Sequence, residues 1–150
     1  NASLLMLKDL SSRGYACDPR SDKDELDTEF WEKIILEHSK NFKKTIMLGN
    51  SMGATGALLY NKFASDVYIF DPPSQDSISV VHQEIIKSIT ETECNIHLYY
   101  GHDDVSYSRV LLASSNHITD SEYFEQYSHS KTIAHFASTG RLDDIIKRHT

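Results

Sequence analysis

Short apolar runs alternate with amphipathic ones along this chain, and that alternation is the strongest constraint on its fold. Thr45–Leu48 (TIML), Val67–Phe70 (VYIF) and Ile96–Tyr100 (IHLYY) are brief and rich in β-branched or aromatic residues. They stop at Gly49, at Asp71-Pro72-Pro73 and at Gly101. Ser3–Leu7 (SLLML), bounded by Lys8-Asp9, reads as an earlier strand, and Tyr123–Tyr127 as a last one. Between them, Leu26–Lys40, Ser51–Phe63, Ile78–Ile89, Val105–Ala113 and Arg141–Lys147 read as helices; Val81, Ile85 and Ile89, for instance, share one helical face. Residues 11–25 are polar and read as a loop. This order predicts an α/β fold: one domain over residues 1–150, with a mostly parallel sheet flanked by helices in three layers. Strands of a parallel sheet are buried on both faces, which is why these runs lack strict alternation. In such sheets the working groups lie just past the C-terminal strand ends. The chemistry is therefore expected after Leu7, Leu48, Phe70 or Tyr100.

Charge narrows the partners. Lys and Arg total 15 against 22 Asp and Glu, a formal net charge of −7. Duplex nucleic acid and anionic membrane surfaces both select clustered Lys and Arg, so neither is an expected partner. No apolar run approaches the roughly 20 residues needed to span a bilayer. Cys17 and Cys94 are too few for a disulfide framework and lack metal-ligand spacing, so two reduced thiols in a cytoplasmic protein are expected, with no metal. No signal-peptide pattern is visible. The apolar run begins almost at once after Asn1, as in an excised domain or the back part of a longer chain. A sheet edge exposed at Ser3–Leu7 would favour a homodimer.

The chemistry-bearing motif is Gly49-Asn50-Ser51-Met52-Gly53, between the TIML strand and the next helix. G-x-S-x-G in a strand–turn–helix setting presents a serine at a sharp turn with its Oγ exposed, and the flanking glycines leave room for neighbours. The following helix aims its first N–H groups at the place where an oxyanion would form, and the Met52 N–H is the expected donor. Ser51 could instead simply cap the helix. Ser51-Met52-Gly53-Ala54-Thr55-Gly56 also approaches the dinucleotide fingerprint, with Asp71 where a ribose-binding acid would stand. Serine in the first glycine position and two prolines after the acid weaken that alternative.

A nucleophilic serine needs a base and an acid, which in this topology follow it in the order acid, then histidine. Gly101-His102-Asp103-Asp104 comes directly after IHLYY. Asp104 is the expected acid by its spacing from the glycine, with Asp103 in reserve. Of eight histidines, His38, His82, His97, His102, His117 and His149 fall on the wrong elements or at the chain end. His135, placed after the last strand and before a helical segment, is the expected base, and His129 the reserve.

These residues resemble the α/β-hydrolase superfamily, and more closely a group of small esterase-like proteins tied to polysaccharide or glycan modification, some fused to glycosyltransferases. The likeness runs from Leu4 to Ile146. It includes Leu4–Leu7 with Lys8-Asp9 and Tyr15, and the full Gly49–Gly53 elbow, with Ala54 in place of a glycine and Ala57–Tyr60 after it. Asp71-Pro72-Pro73-Ser74-Gln75 is a looser match. Ile96-His97 leads to Asp104 and Arg109–Leu112, and Ala134-His135 to Gly140-Arg141-Leu142. The resemblance implies a Ser51–His135–Asp104 triad, ester chemistry on a small or glycan-linked substrate, and no cofactor. Water as acceptor gives hydrolysis; a sugar hydroxyl gives acyl transfer. Members of the group carry an earlier strand whose following loop gives a second oxyanion N–H, and nothing upstream of Ser3 supplies one here. That departure supports a second reading, an interaction module with slow, lost or partner-completed catalysis. The dinucleotide-binding domain is the third.

Overall fold

The computed structural model describes residues 5–9, 12–23 and 25–150. Its centre is a sheet of four parallel strands, β1 (Ile46–Asn50), β2 (Asp66–Phe70), β3 (Asn95–Gly101) and β4 (Ile118–Phe124), in that spatial order. The helices are α1 (Glu29–Ser39), α2 (Met52–Leu59), α3 (Val80–Glu91), α4 (Val105–Ser114), α5 (Thr132–Ser138) and α6 (Arg141–Arg148). The α/β architecture with a parallel sheet flanked by helices is as expected from the alternation.

Strand alternation sorts the apolar side chains into two cores. Val67, Ile69, Ile96, Leu98 and Tyr100 face Trp31 and Ile35 of α1, Ala54, Ala57 and Leu58 of α2, Ile85 and Ile89 of α3, and Leu111 of α4. Tyr68, Phe70, Tyr99 and Phe124 point to the opposite face, where Phe136 of α5 and Ile145 of α6 cover them. All of β2 is therefore buried, as a central parallel strand must be. Helix α2 is apolar nearly all round, because it lies inside the first core rather than on its rim. Helix α3 begins where Ser79 Oγ accepts the His82 N–H at 3.1 Å.

Several boundaries differ from those the sequence suggests. Ser3 and Leu4 of the expected first strand lie outside the described residues. Leu5–Leu7 form no strand: Met6 is 84% exposed, and the Leu7 carbonyl accepts the Tyr15 hydroxyl at 2.9 Å instead of a ladder N–H. Among the described residues β1 and β4 are the sheet edges, and Leu5–Leu7 form none. The last strand begins at Ile118, earlier than Tyr123, and Asp120 and Ser121 on it are exposed at the sheet edge. The helix from Ser51 breaks after Leu59 into a 3₁₀ turn at Asn61–Phe63. No helix among the described residues is long and apolar enough to cross a membrane.

Asp66 opens β2 near the sheet's other end. It lies 3.1 Å from the half-exposed Lys44 ammonium and accepts from Ser65 Oγ at 3.0 Å and Asn95 Nδ2 at 3.3 Å. Burial works against its ionisation, but the bonds from Lys44, Ser65 and Asn95 together outweigh it and hold the carboxyl down at about 2. A carboxyl lowered on folding stabilises the fold above its unfolded value, about 3.9, and loses that contribution as pH falls through the folded value. Asp66→Asn is expected to lower unfolding free energy by about 1–2 kcal/mol at neutral pH. Urea melts at successively lower pH should show the gap to wild type closing as Asp66 becomes protonated.

Candidate active site

Strand β1 runs directly into α2 with no loop, and Ser51 absorbs the reversal. Its backbone sits at φ 52°, ψ −120°, a region that L residues enter only at a cost of about 1–3 kcal/mol. Two bonds fix the turn: Ser51 N–H to the Phe70 carbonyl at 3.0 Å, and Ala54 N–H to the Ser51 carbonyl at 2.8 Å. Gly49 is required sterically, since a Cβ there would overlap the Gly53 carbonyl. Gly53 differs from expectation: a Cβ on it would meet nothing within 4 Å. Met52 is the first residue of α2, where a backbone N–H has no carbonyl of its own helix to reach.

The Ser51 hydroxyl is 2.6 Å from His129 Nε2. On the far side of the ring, His129 Nδ1 is 2.7 Å from Asp104 Oδ1. The partners assign the tautomer: Nδ1 donates to the carboxylate, and the Nε2 lone pair accepts from the serine. Asp104 is 6% exposed and the His129 side chain 39%, so the acid is enclosed while the base opens to solvent. Burial pushes the Asp104 carboxyl above its usual range, with Asp71 and Asp103 adding to that, against the hydrogen bond and charge of His129.

Of the two acids after β3, each has its own task. Asp104 meets the imidazole, and Asp103 Oδ2 accepts the His129 backbone N–H at 2.9 Å. The loop between β4 and α5 is tied further by His102 N–H to the Tyr127 carbonyl at 2.8 Å and by Asn50 Nδ2 to Ser130 Oγ at 3.4 Å.

His135, the expected base, is not in this relay. It lies inside α5, where its Nδ1 accepts the Tyr127 hydroxyl at 2.9 Å and its ring packs 5.4 Å from that of Phe124. The reason is where α5 starts. Thr132 is its first residue, so residue 135 turns back over the aromatic layer, whereas residue 129 is carried across the strand ends by the loop. Ile133 and Phe136, three apart, are the helical signal that marks His135 as part of that element. The flanking Ser128 and Ser130 mark His129 as loop.

Two further features were not foreseen. The loop over residues 12–15 folds onto the elbow: a Cβ at Gly14 would stand 3.3 Å from Thr55 Cγ2 and 3.7 Å from Met52 Cγ. Buried Asp9 holds that loop by accepting the N–H groups of Arg13 at 2.9 Å and Tyr15 at 3.0 Å. Lys8-Asp9 followed by Tyr15 was the signal for it. The groups proposed for a dinucleotide are otherwise engaged. Gly56 leaves room for the Tyr15 ring, 2.8 Å from where a Cβ would be, and Asp71 is wholly buried, bonded to Gly101 and Thr132. Asp71 is therefore not displayed toward a ribose hydroxyl. Among the described residues no group of three or more His, Cys, Asp or Glu side chains is arranged to hold a metal ion.

Comparison with protein-family models, with curated proteins and with solved structures found no match to this chain.

Proposed function

We propose that this chain is a serine hydrolase of the α/β-hydrolase kind, an esterase or acyltransferase, with Ser51, His129 and Asp104 as its triad. One observation carries the reading: a continuous hydrogen-bonded path from a strained serine at a strand–helix turn, through one imidazole, to a buried carboxylate. Strain at a non-glycine residue marks a place where geometry is held for a purpose other than stability. A surface serine serving only as a helix cap needs neither the histidine nor the acid.

The chemistry follows from the donors and acceptors. Ser51 Oγ attacks the carbonyl carbon of an ester while His129 Nε2 takes its proton. Asp104 holds the tautomer and stabilises the imidazolium. The Met52 N–H, at the start of α2, faces the developing oxyanion. His129 then returns the proton to the leaving alcohol, freeing it and leaving an acyl-serine. Water or a sugar hydroxyl, deprotonated by the same ring, then attacks the acyl carbon; the bond to Ser51 Oγ breaks, and His129 returns the proton to the serine. The glycan-linked substrate rests on the sequence resemblance. The acyl transfer or hydrolysis step itself rests on the relay.

A fluorophosphonate probe tests this directly. Labelling of the folded chain should map to the peptide carrying Ser51 by mass spectrometry and vanish in Ser51→Ala. Folded wild-type protein that stays unlabelled under excess probe overturns the proposal.

A further inference from the structure

We infer that Asp71 is a positioning residue for this site: its buried carboxylate sets the acid-bearing turn after β3 and the base-bearing loop before α5 in register. The inference rests on the triad reading above. Asp71 leaves the end of β2 in a left-handed conformation, φ 46°. Its N–H still donates to the Tyr99 carbonyl at 2.9 Å, so the main chain stays in the ladder while the side chain crosses the end of β3.

Three donors converge on that side chain. Oδ1 accepts the Gly101 N–H at 2.9 Å and the Thr132 hydroxyl at 2.6 Å, and Oδ2 accepts the Thr132 N–H at 3.0 Å. Gly101 is the last residue of β3, immediately before the His102–Asp104 turn that carries the acid. Thr132 opens α5, immediately after the loop that carries His129. One carboxylate thus joins the two segments that must meet, and its side-chain hydrogen bonds go to Gly101 and Thr132 rather than to His129 or Asp104. Other bonds cross between the same segments, but Asp103, which makes one of them, is 46% exposed on its side chain. Asp71 and Thr132 are both 0% exposed, so their bonds face no competition from water.

A carboxylate fits this place better than any other side chain. All three donors point at it, and it alone offers acceptors in every direction. Asp71→Asn puts an NH₂ group against a backbone N–H. Thr132→Val keeps the volume and the N–H but removes the hydroxyl, and Thr132→Ser restores it.

The test has two readouts. The first is the low-field NMR proton of His129 Nδ1–H, which reports its bond to Asp104 without requiring turnover. The second is the fluorophosphonate labelling rate of Ser51. Asp71→Asn and Thr132→Val should broaden or abolish the resonance while circular dichroism remains that of the folded chain. Labelling should slow by about tenfold, the cost of one unmet buried bond, with Thr132→Ser close to wild type. Should Asp71→Asn fail to fold, Thr132→Val carries the comparison. A resonance that Asp104→Asn removes but both variants leave sharp, with labelling unchanged, overturns the role of Asp71 alone. A wild-type chain with no resonance dependent on Asp104 overturns the triad, and this inference with it.

Discussion

His129→Ala slows acylation of Ser51 by about 10⁴-fold or more, while His135→Ala changes it by no more than a few-fold. The asymmetry is the expected result because the two imidazoles do different things, although both follow the last strand. Removing the His129 ring takes away the group 2.6 Å from the serine hydroxyl and leaves the Asp104 carboxylate buried with no ring to orient. No other histidine is paired with Ser51 among the described residues: His102 pairs with Asp103 at 2.8 Å, and His82 lies against Tyr107 at 3.3 Å. Removing the His135 ring costs one hydrogen bond from Tyr127 and some aromatic packing, roughly 1 kcal/mol of stability. Stopped-flow acylation by an activated ester, with thermal melts on the same samples, separates the two. Equal losses in both variants, with folding intact, would show that the relay does not carry the proton.

What the sequence made legible was what is encoded locally. The elbow is a contiguous motif between a buried strand and a helix, so the strand–helix turn and the strain at Ser51 could be placed from Gly49 to Gly53. The carboxylate that meets the ring, Asp104, was legible because the turn after IHLYY is short, which leaves two candidates one residue apart. The imidazole that meets Ser51 was not. Chain order allows both His129 and His135, and the choice depends on where α5 begins. Thr132, the residue that opens α5, donates to Asp71 across 61 residues of chain. No window of sequence contains such a contact. The same holds for the front of the chain. An apolar run can form a strand only beside a partner edge, and Leu5–Leu7 spend a carbonyl on Tyr15 instead. Strand β4 was misplaced for a complementary reason. At a sheet edge the outward positions are polar, so Ile118–Phe124 lacks the apolar density of its neighbours.

Gly101→Ala is the substitution expected to damage fold and site together. A Cβ built on Gly101 overlaps the Tyr127 carbonyl and stands 3.3 Å from that of Ser128. Both contacts are backbone, so no side-chain rotation relieves them. The Tyr127 carbonyl is also the acceptor for His102 N–H at 2.8 Å, so retreat of the loop breaks a bond between the acid turn and the base loop. Two responses remain to the chain. If the sheet holds its place, the 127–131 segment shifts outward and carries His129 off Ser51, and a displacement of about 1 Å is enough to cost about 100-fold in rate. If the loop holds, the end of β3 is strained and stability falls by about 3 kcal/mol or more. The Gly101 N–H to Asp71 survives an alanine, so the variant isolates the steric term from the hydrogen bond. Urea unfolding and Ser51 labelling on the same preparation measure both responses. A variant as stable and as reactive as wild type would mean that the loop bearing His129 does not sit against the end of β3, and the relay geometry would fall with it.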